Sequence, residues 1–531
     1  MFWRLSRFYF LIFFMPGFRL TAVKLLAIGI FLILIGKVAA LTVFSGSYYR
    51  DLSMGNRIKE IVVPANRGVI YDRFGEQLAI NAPAFLAGDK IISKEEALLN
   101  KNAQAIAARR YLPGPATAHV LGYINLADRT GVSGLEFEYN EILSGTDGQE
   151  LIETNAKGDK LKSLGVVKPV DGENLTTTLA LNLQRLAFEK IRDYKGAVVA
   201  SDPDTGEILV LVSSPSFDPN LLTYPRIGIT DEEVDRVLND KNQPFFDRAV
   251  GATYPPGSTF KIITAAAGLE SGEITSGTRY EDTGVLVIGP YKFPNWKWLK
   301  SGGTDGSLDI VGAIQKSNDI FFYQLGGKIG IEKITDMAKH FGLNQKLGID
   351  LPGEAGGIVP DEKWRSEFAR AWYLGDTYHL AIGQADLLVT PLQVNFWTAV
   401  MANGGYLCQP YINKNKSPSC KSLNLKTETM NLIKQGMEAA CKPGGTAWPL
   451  FGLKTQGEEL TIHCKTGTAE FGDLKDRTHA WLTAYVDKTT AAKFNKGPIA
   501  ITVLLEGAGE GSDVAAPVVR DLLKEWFEPG N

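Results

Sequence analysis

The sequence predicts an α+β protein, built on a five-stranded antiparallel sheet flanked by helices, with an elongated N-terminal module and one transmembrane helix. Two strand-like runs flank an Asp-Pro-Asp-Thr-Gly turn within residues 196–214, which is typical of a hairpin. Three more strand-like runs follow at 460–471, 480–486 and 499–506, and residues 516–527 have helical apolar spacing. Helical segments between the two groups of strands would cover both faces of the sheet.

The N-terminal region predicts a membrane anchor, because residues 25–44 form an apolar run interrupted only by Lys37. Its length matches the roughly 20 residues that cross a bilayer. Basic residues precede it and no acid occurs before Asp51, which favours a cytoplasmic N-terminus. A cleaved secretory signal is the alternative, but the run is long and no small-residue cleavage site ends it. The shorter run at 8–15 is expected to lie in the membrane interface.

These features divide the chain into four parts. Residues 1–20 are expected to be a short cytoplasmic segment and residues 21–44 a single-pass anchor in the cytoplasmic (inner) membrane. Residues 45–185 are rich in glycine and charge and indicate an elongated pedestal module. Residues 186–531 would form the main domain, on the extracytoplasmic, periplasmic side.

Composition excludes several classes of function. The net charge is −3, which argues against nucleic acid as a partner. The five histidines show no ligand spacing, and CxxC and HExxH motifs are absent, so we expect no metal and no cofactor. In an oxidising compartment Cys408 and Cys420 could pair across the loop between them, while four buried free thiols are the alternative.

A candidate nucleophile lies in the segment YPPGSTFKIITAAAGLE, which begins at Tyr254. Ser258 and Lys261 are three residues apart at the start of a predicted helix, so the two side chains share a face and can hydrogen-bond. A neutral lysine can take the proton of an attacking serine, provided that burial and a second cation lower its pKa. Ser-x-x-Lys occurs by chance in many long chains, so the pair alone is a weak signal.

Two further segments strengthen the prediction. Ser317 and Asp319 begin an aromatic-rich helical pattern, where ordinary helix capping is the alternative interpretation. Lys465 precedes Thr466, Gly467 and Thr468 on a predicted strand, where a solvated turn is the alternative. If the segments converge, Lys465 is the cation that lowers the pKa of Lys261. The two threonines would bind a substrate carboxylate, Gly467 would allow a close backbone approach, and the backbone N–H groups of Ser258 and Thr468 would form an oxyanion hole.

The ordered trio Ser-x-x-Lys, Ser-x-Asp and Lys-Thr-Gly resembles that of penicillin-binding proteins and serine β-lactamases. NRGVIYDRFGEQLA at 66–79 and GVSGLEFEYNEILSGTDG at 131–148 resemble two boxes of the class B penicillin-binding proteins. Further segments (FDRAVGATYPPGSTFK, GIDLPGE, AIGQADLLVTPLQ and MANGG) continue the resemblance in family order to about residue 527.

This resemblance implies the penicillin-binding transpeptidase fold with a dimerisation-type pedestal, and a serine D-Ala-D-Ala transpeptidase that cross-links peptidoglycan. Ser258 would attack the penultimate D-Ala carbonyl of a stem pentapeptide, with Lys261, Ser317, Asp319 and Lys465 as the other catalytic residues. β-Lactams would inhibit the enzyme. The partner would be a separate glycosyltransferase of the shape–elongation–division–sporulation family, since the region before the hairpin has no room for a polymerase domain.

Alternatives within the resemblance remain open. Asp319, where many relatives have Asn, and the sequence HAW at 479–481 favour the elongation type over the division type. A β-lactamase would lack the anchor and the N-terminal boxes. A β-lactam sensor would need a larger cytoplasmic segment, and a non-catalytic scaffold would typically have lost Ser258 or a lysine.

Overall fold

The computed structural model describes residues 16–87, 90–100, 103–125, 128–155, 158, 160–223, 230–368, 370–472 and 475–528. These residues form two compact units. One unit contains the described residues up to Ala65 together with Thr146–Asp171, and the other contains Asn66–Gly145 and the described residues from Gly172 onwards. The apolar run at 8–15, expected in the membrane interface, lies outside the described residues.

The strands of the described residues are, in chain order, β1 Ile58–Val63, β2 Ile70–Tyr71, β3 Gln77–Ala87, β4 Lys90–Ile92, β5 Gln104–Tyr111, β6 Gly148–Thr154, β7 Lys160–Val167, β8 Leu175–Thr176, β9 Gly196–Ser201, β10 Ile208–Ser214, β11 Tyr280–Asp282, β12 Val285–Ile288, β13 Tyr291–Pro294, β14 Gly306–Leu308, β15 Tyr406–Cys408, β16 Cys420–Ser422, β17 Lys454–Thr455, β18 Glu458–Glu459, β19 His463–Glu470, β20 Thr478–Val486 and β21 Ile499–Leu505.

The α-helices of the described residues are, in chain order, α1 Pro16–Ala39, α2 Gly46–Arg57, α3 Lys94–Leu99, α4 Ala118–Leu121, α5 Gly134–Glu138, α6 Asn140–Ser144, α7 Leu181–Ile191, α8 Asn220–Thr223, α9 Asp231–Leu238, α10 Lys261–Glu270, α11 Trp296–Ser301, α12 Ile310–Lys316, α13 Asp319–His340, α14 Glu362–Glu367, α15 Leu374–Ala381, α16 Pro391–Ala402, α17 Thr427–Ala440, α18 Lys488–Ala492 and α19 Ala516–Phe527.

The five-stranded sheet has the order β10-β9-β21-β20-β19, and every neighbouring pair is antiparallel. This confirms the predicted fold class. Side chains alternate between the two faces, so Trp481 and Tyr485 of β20 join the core that contains α10, α13 and α16. Leu482 and Ala484 join the opposite core with α7 and α19. Because both faces are covered, the central strands are continuous apolar runs rather than alternating ones.

The unit that contains the described residues up to Ala65 and Thr146–Asp171 includes the candidate membrane span. Within the described residues one helical segment, Leu20–Phe44, is long and apolar enough to cross a bilayer, and none of it is buried in the protein. It comprises α1 from Leu20 onwards and one continuing π-helical turn, Ala40–Phe44. A three-stranded antiparallel sheet, β1-β6-β7, completes this unit.

The four cysteines form two disulfides. Cys408 pairs with Cys420 and joins β15 to β16, which is the pairing considered from the sequence, and the alternative of four free thiols is therefore not what the structure shows. Cys441 pairs with Cys464, a pairing that the sequence did not predict. The second disulfide ties the end of α17 to β19, next to Lys465.

The two N-terminal boxes meet in a buried ion-pair network. Glu136 of α5 contacts Arg67 Nε at 2.5 Å and Arg109 Nε at 2.6 Å, and all three side chains are almost completely buried. Tyr111 donates its hydroxyl to the same carboxylate. The first box supplies Arg67 and the second supplies Glu136, so one buried carboxylate is shared by two buried guanidinium groups.

We expect Glu136→Gln to destabilise the protein strongly, because it leaves two guanidinium groups buried without their counter-charge. Breaking a buried pair costs about 3–5 kcal/mol. Thermal unfolding measured by circular dichroism should show a clear fall in the midpoint. Glu141→Gln, at an exposed position of α6, is the matched control and should leave the midpoint unchanged. Equal midpoints for the two variants would contradict this account of the network.

Candidate active site

Ser258 lies on a 3₁₀ turn, Gly257–Phe260, that leads directly into α10. Trp481 of β20 donates its indole N–H to Pro255 O at 3.0 Å and ties the turn to the sheet. Gly257 has φ +53°, and a Cβ there would lie 3.0 Å from Thr468 O. Glycine is therefore required both by the conformation and by the close approach of β19. The Ser258 side chain is half-buried.

Lys261 is the first residue of α10 and its side chain is completely buried. Its Nζ donates to Asp319 Oδ1 at 2.6 Å, to Ser317 O at 2.8 Å and to Ser317 Oγ at 3.4 Å. The ammonium also lies 5.4 Å from the ring centroid of Phe322. All three proton positions of the amine are thus directed at the Ser317–Asp319 turn.

The Ser317–Asp319 turn joins α12 to α13. Ser317 ends α12 in the left-handed region at φ +53°, an uncommon conformation for a residue with a side chain. Asn318 caps α13 by accepting from Phe321 N. Asp319 is buried at the first position of α13 and accepts from Trp296 N at 2.9 Å through its second oxygen. The capping residue is Asn318, so capping does not account for Ser317 or Asp319.

Lys465 reaches the same place from β19, and its side chain is completely buried. Its Nζ donates to Ser317 Oγ at 2.8 Å and to Thr466 O at 2.9 Å. Gly467 allows β19 to pack closely against the turn that carries Ser258. A Cβ at this position would lie 3.0 Å from Thr259 Cγ2 and 3.1 Å from Pro256 O. The predicted role of this glycine in close backbone packing is consistent with these distances.

The threonines of β19 lie beside the cluster. Thr466 is buried and its hydroxyl is 2.7 Å from that of Thr446. Thr468 is exposed, and its carbonyl oxygen borders Gly257 of the serine turn. Hydroxyl groups thus follow Lys465 along the edge strand of the sheet.

Burial dominates the electrostatics of both lysines. It lowers the pKa of Lys261, while the Asp319 carboxylate pulls that pKa back up. Burial also lowers the pKa of Lys465, well below its usual value, and the charge of Lys261 lowers it further. Asp319 raises both pKa values, but it contacts Lys261 directly, so its carboxylate favours the proton on Lys261 most.

The structure corrects one expectation about Lys261 and refines another. Its Nζ hydrogen-bonds to Ser317 and Asp319, and among the described residues we find no hydrogen bond between it and Ser258. Burial and Lys465 together were expected to lower the pKa of Lys261; burial does lower it, but that shift is partly opposed. The reason is the Asp319 carboxylate, which stabilises the ammonium of the lysine that it contacts.

The sequence did not indicate several residues that contact the motif segments or support those that do. Trp296, Asn295, Asp282 and Thr446 all lie outside the three motifs. Trp296 and Asn295 belong to the aromatic-rich segment FPNWKWL, whose composition was the only available signal. Within the described residues no group of three or more histidines, cysteines or carboxylates is placed to hold a metal ion.

Comparison with known proteins identifies the family. Residues 196–524 match the penicillin-binding protein transpeptidase domain and residues 87–177 match the penicillin-binding protein dimerisation domain. The peptidoglycan D,D-transpeptidase MrdA of Acinetobacter baumannii is 32% identical over 93% of this chain and 85% of its own.

Solved structures agree with this assignment. Penicillin-binding protein 2 of Helicobacter pylori, in complex with MreC, superposes with a TM-score of 0.75 at 27% identity, over 88% of this chain and 98% of that one. A chain of a peptidoglycan synthase complex that coordinates polymerization and crosslinking gives 0.76 at 27% identity, over 96% and 98%. The fold, the convergent cluster and these matches lead to one conclusion: the chain belongs to the penicillin-binding protein transpeptidases, as a class B, MrdA-like peptidoglycan D,D-transpeptidase.

Proposed function

We propose that the reaction proceeds through an acyl-enzyme on Ser258. The observation that supports this most directly is the contact cluster of Lys261, Ser317, Asp319 and Lys465 beside the serine turn. Ser258 Oγ attacks the penultimate D-Ala carbonyl and its proton passes to Lys261. The tetrahedral intermediate collapses, the C–N bond breaks, and the terminal D-Ala leaves with that proton.

The second half of the reaction reverses these roles. An amine of a neighbouring stem peptide attacks the ester carbonyl, and Lys261 takes the proton that the amine loses. When the ester C–O bond breaks, that proton returns to Ser258 Oγ and a new peptide bond remains. Ser317, which contacts both lysines, provides a hydroxyl path for the proton between them.

Substrate binding would prepare the base. The resting site favours the proton on Lys261, because Asp319 contacts that ammonium. A substrate carboxylate bound beside Lys465, Thr466 and Thr468 would favour the charged form of Lys465. The ammonium of Lys465 then repels that of Lys261 and promotes loss of its proton. We infer that the C-terminal carboxylate of the donor peptide both anchors the substrate and activates Lys261.

The oxyanion hole is proposed at the backbone N–H groups of Ser258 and Thr468. A Cβ on Gly257 would lie 3.0 Å from Thr468 O, so the two chain segments pass close to each other at this point. Two N–H donors fixed in advance stabilise the oxyanion without reorganisation when charge develops.

The similarity to class B penicillin-binding proteins also suggests the membrane topology and the partner of this protein. We propose that residues 1–20 are cytoplasmic, that residues 21–44 cross the inner membrane, and that the pedestal (45–185) and transpeptidase domain (186–531) are periplasmic. The candidate span Leu20–Phe44 supports the single-pass anchor. Because solved relatives occur with MreC and in a peptidoglycan synthase complex, we propose a shape–elongation–division–sporulation polymerase as partner, in cell elongation.

Ser258→Ala should abolish covalent labelling by a fluorescent penicillin, because no other nucleophile is proposed to attack the β-lactam carbonyl. Labelling is read on a denaturing gel, and circular dichroism checks that the variant is folded. Thr259→Ser, which keeps the neighbouring hydroxyl of the same turn, is the matched control and should label normally. Undiminished labelling of folded Ser258→Ala would refute the nucleophile.

Asp319→Asn should move the rising limb of the acylation pH profile to lower pH. The neutral amine is the base, so acylation rises with pH as Lys261 loses its proton. Asp319 raises the pKa of Lys261, and its neutralisation therefore lowers that pKa. The second-order rate of β-lactam acylation, measured from pH 5 to pH 10, gives the limb. A limb that stays in place, or one that persists in Lys261→Ala, would contradict this assignment.

Gly467→Ala should slow acylation by roughly a hundredfold, because the added methyl group pushes β19 away from the serine turn and misplaces the reacting groups by part of an ångström. The new Cβ would lie 2.9 Å from Trp481 Cβ. Stopped-flow acylation is the measurement. Gly165→Ala, in an exposed strand with nothing near its Cβ, should acylate normally. Wild-type rates for Gly467→Ala would show that this contact does not matter.

A further inference from the structure

A buried carboxylate outside the three motifs has a hydrogen-bond pattern that points to the reaction centre. Asp282, the last residue of β11, is 3% exposed. Its Oδ1 accepts from Gly284 N at 2.8 Å, and its Oδ2 accepts from Asn295 Nδ2 at 2.9 Å, Asn318 Nδ2 at 2.8 Å and Asp305 N at 2.8 Å. Four N–H donors from four chain segments thus converge on one carboxylate, and ionised acceptors make strong hydrogen bonds of this kind.

Two of these donors belong to residues that hold Asp319. Asn295 receives the backbone N–H of Asp319 on its Oδ1, while its Nδ2 donates to Asp282. Asn318 lies between Ser317 and Asp319 and caps α13 with its Oδ1. Both amides are therefore oriented by Asp282, since their Nδ2 atoms can only donate and their Oδ1 atoms only accept.

A third connection runs through the backbone. Trp296, the residue after Asn295, donates its N–H to Asp319 Oδ2, and the other oxygen of Asp319 contacts Lys261 Nζ. The position of Asn295 therefore sets the direction of the carboxylate that faces Lys261. The parallel route through the Asn295 side chain, from Asp282 to Asp319 N and on to Lys261, consists of hydrogen bonds between buried groups.

The buried charges of Asp282 and of its neighbour Asp305 are compensated in different ways. Lys297 of α11 forms an ion pair with Asp305, whose side chain is 3% exposed. Asp282 itself makes its hydrogen bonds to neutral N–H groups only, so its negative charge is compensated by oriented dipoles. A carboxylate buried in this way fixes its donors more firmly than an amide would.

We propose that Asp282 is a positioning residue of the transpeptidase reaction, and that its carboxylate holds the Ser317–Asp319 turn and, through it, the ion pair between Asp319 and Lys261. This inference rests on the proposed function of Lys261 as the base. It assigns no direct contact with substrate to Asp282.

Asp282→Asn tests the proposal, because an amide placed here turns an N–H₂ group towards at least one of the four donors. We expect β-lactam acylation to slow by about tenfold to a hundredfold. The rising limb of the pH profile should also move to lower pH, since Asp319, once misoriented, stabilises the ammonium of Lys261 less. Asp309→Asn is the matched control: Asp309 caps α12 and pairs with Arg279 at the surface, outside this network.

Asn318→Ser covers the case in which Asp282→Asn fails to fold. Serine can still cap α13, but it lacks the N–H₂ group that donates to Asp282. We expect the acylation rate to fall less than in Asp282→Asn, and the rising limb of the pH profile to move to lower pH in the same way. Wild-type rate and limb in the folded variants would overturn the proposal. So would a slower rate with an unmoved limb, which would mean that Asp282 only supports the fold. Loss of the Ser258 assignment would instead appear as labelling of Ser258→Ala.

Discussion

The structure depends on the burial of two lysine amines beside a single carboxylate. Lys261 and Lys465 are both removed from water, and Asp319 is the acid that contacts one of them. A positive charge on one amine makes a positive charge on the other more costly to bury. The arrangement is therefore stable only if Asp319 and Ser317 are held in fixed positions. The positive φ of Ser317 and the missing side chain at Gly467 both serve that requirement.

Much of the architecture was predictable because it depends on local patterns. The strands at Gly196–Ser201 and Ile208–Ser214 flank a turn whose residues favour a hairpin, and β20 and β21 are largely apolar runs of ordinary strand length. The helix Ala516–Phe527 has the bounds that its apolar spacing indicated. The convergence of Ser317 and Lys465 on Lys261 was predicted only through the resemblance to a family, since spacing along the chain gives no distance in space.

The unpredicted features depend on distant contacts and on competition between charges. Cys441 and Cys464 are 23 residues apart and pair because α17 packs against β19. Asn318 was an unconsidered position inside a motif, yet it caps α13 and reaches Asp282. The direct contact between Asp319 and Lys261 was also unpredicted, because the sequence brings a carboxylate towards the lysine without showing which group it contacts.

The choice of aspartate at position 319 has a consequence for when the enzyme is active. An asparagine there would leave both buried amines without a counter-charge, and each would lose its proton readily. Aspartate instead raises the pKa of Lys261 in the empty site, while Lys465 carries the larger downward pKa shift. A ligand carboxylate next to Lys465 would favour the charged form of that lysine. The proton would then be favoured on Lys465 rather than on Lys261. In the mechanism proposed here, the base therefore becomes available only when a substrate with a free C-terminal carboxylate is bound, which limits wasteful attack by Ser258 on other carbonyl groups.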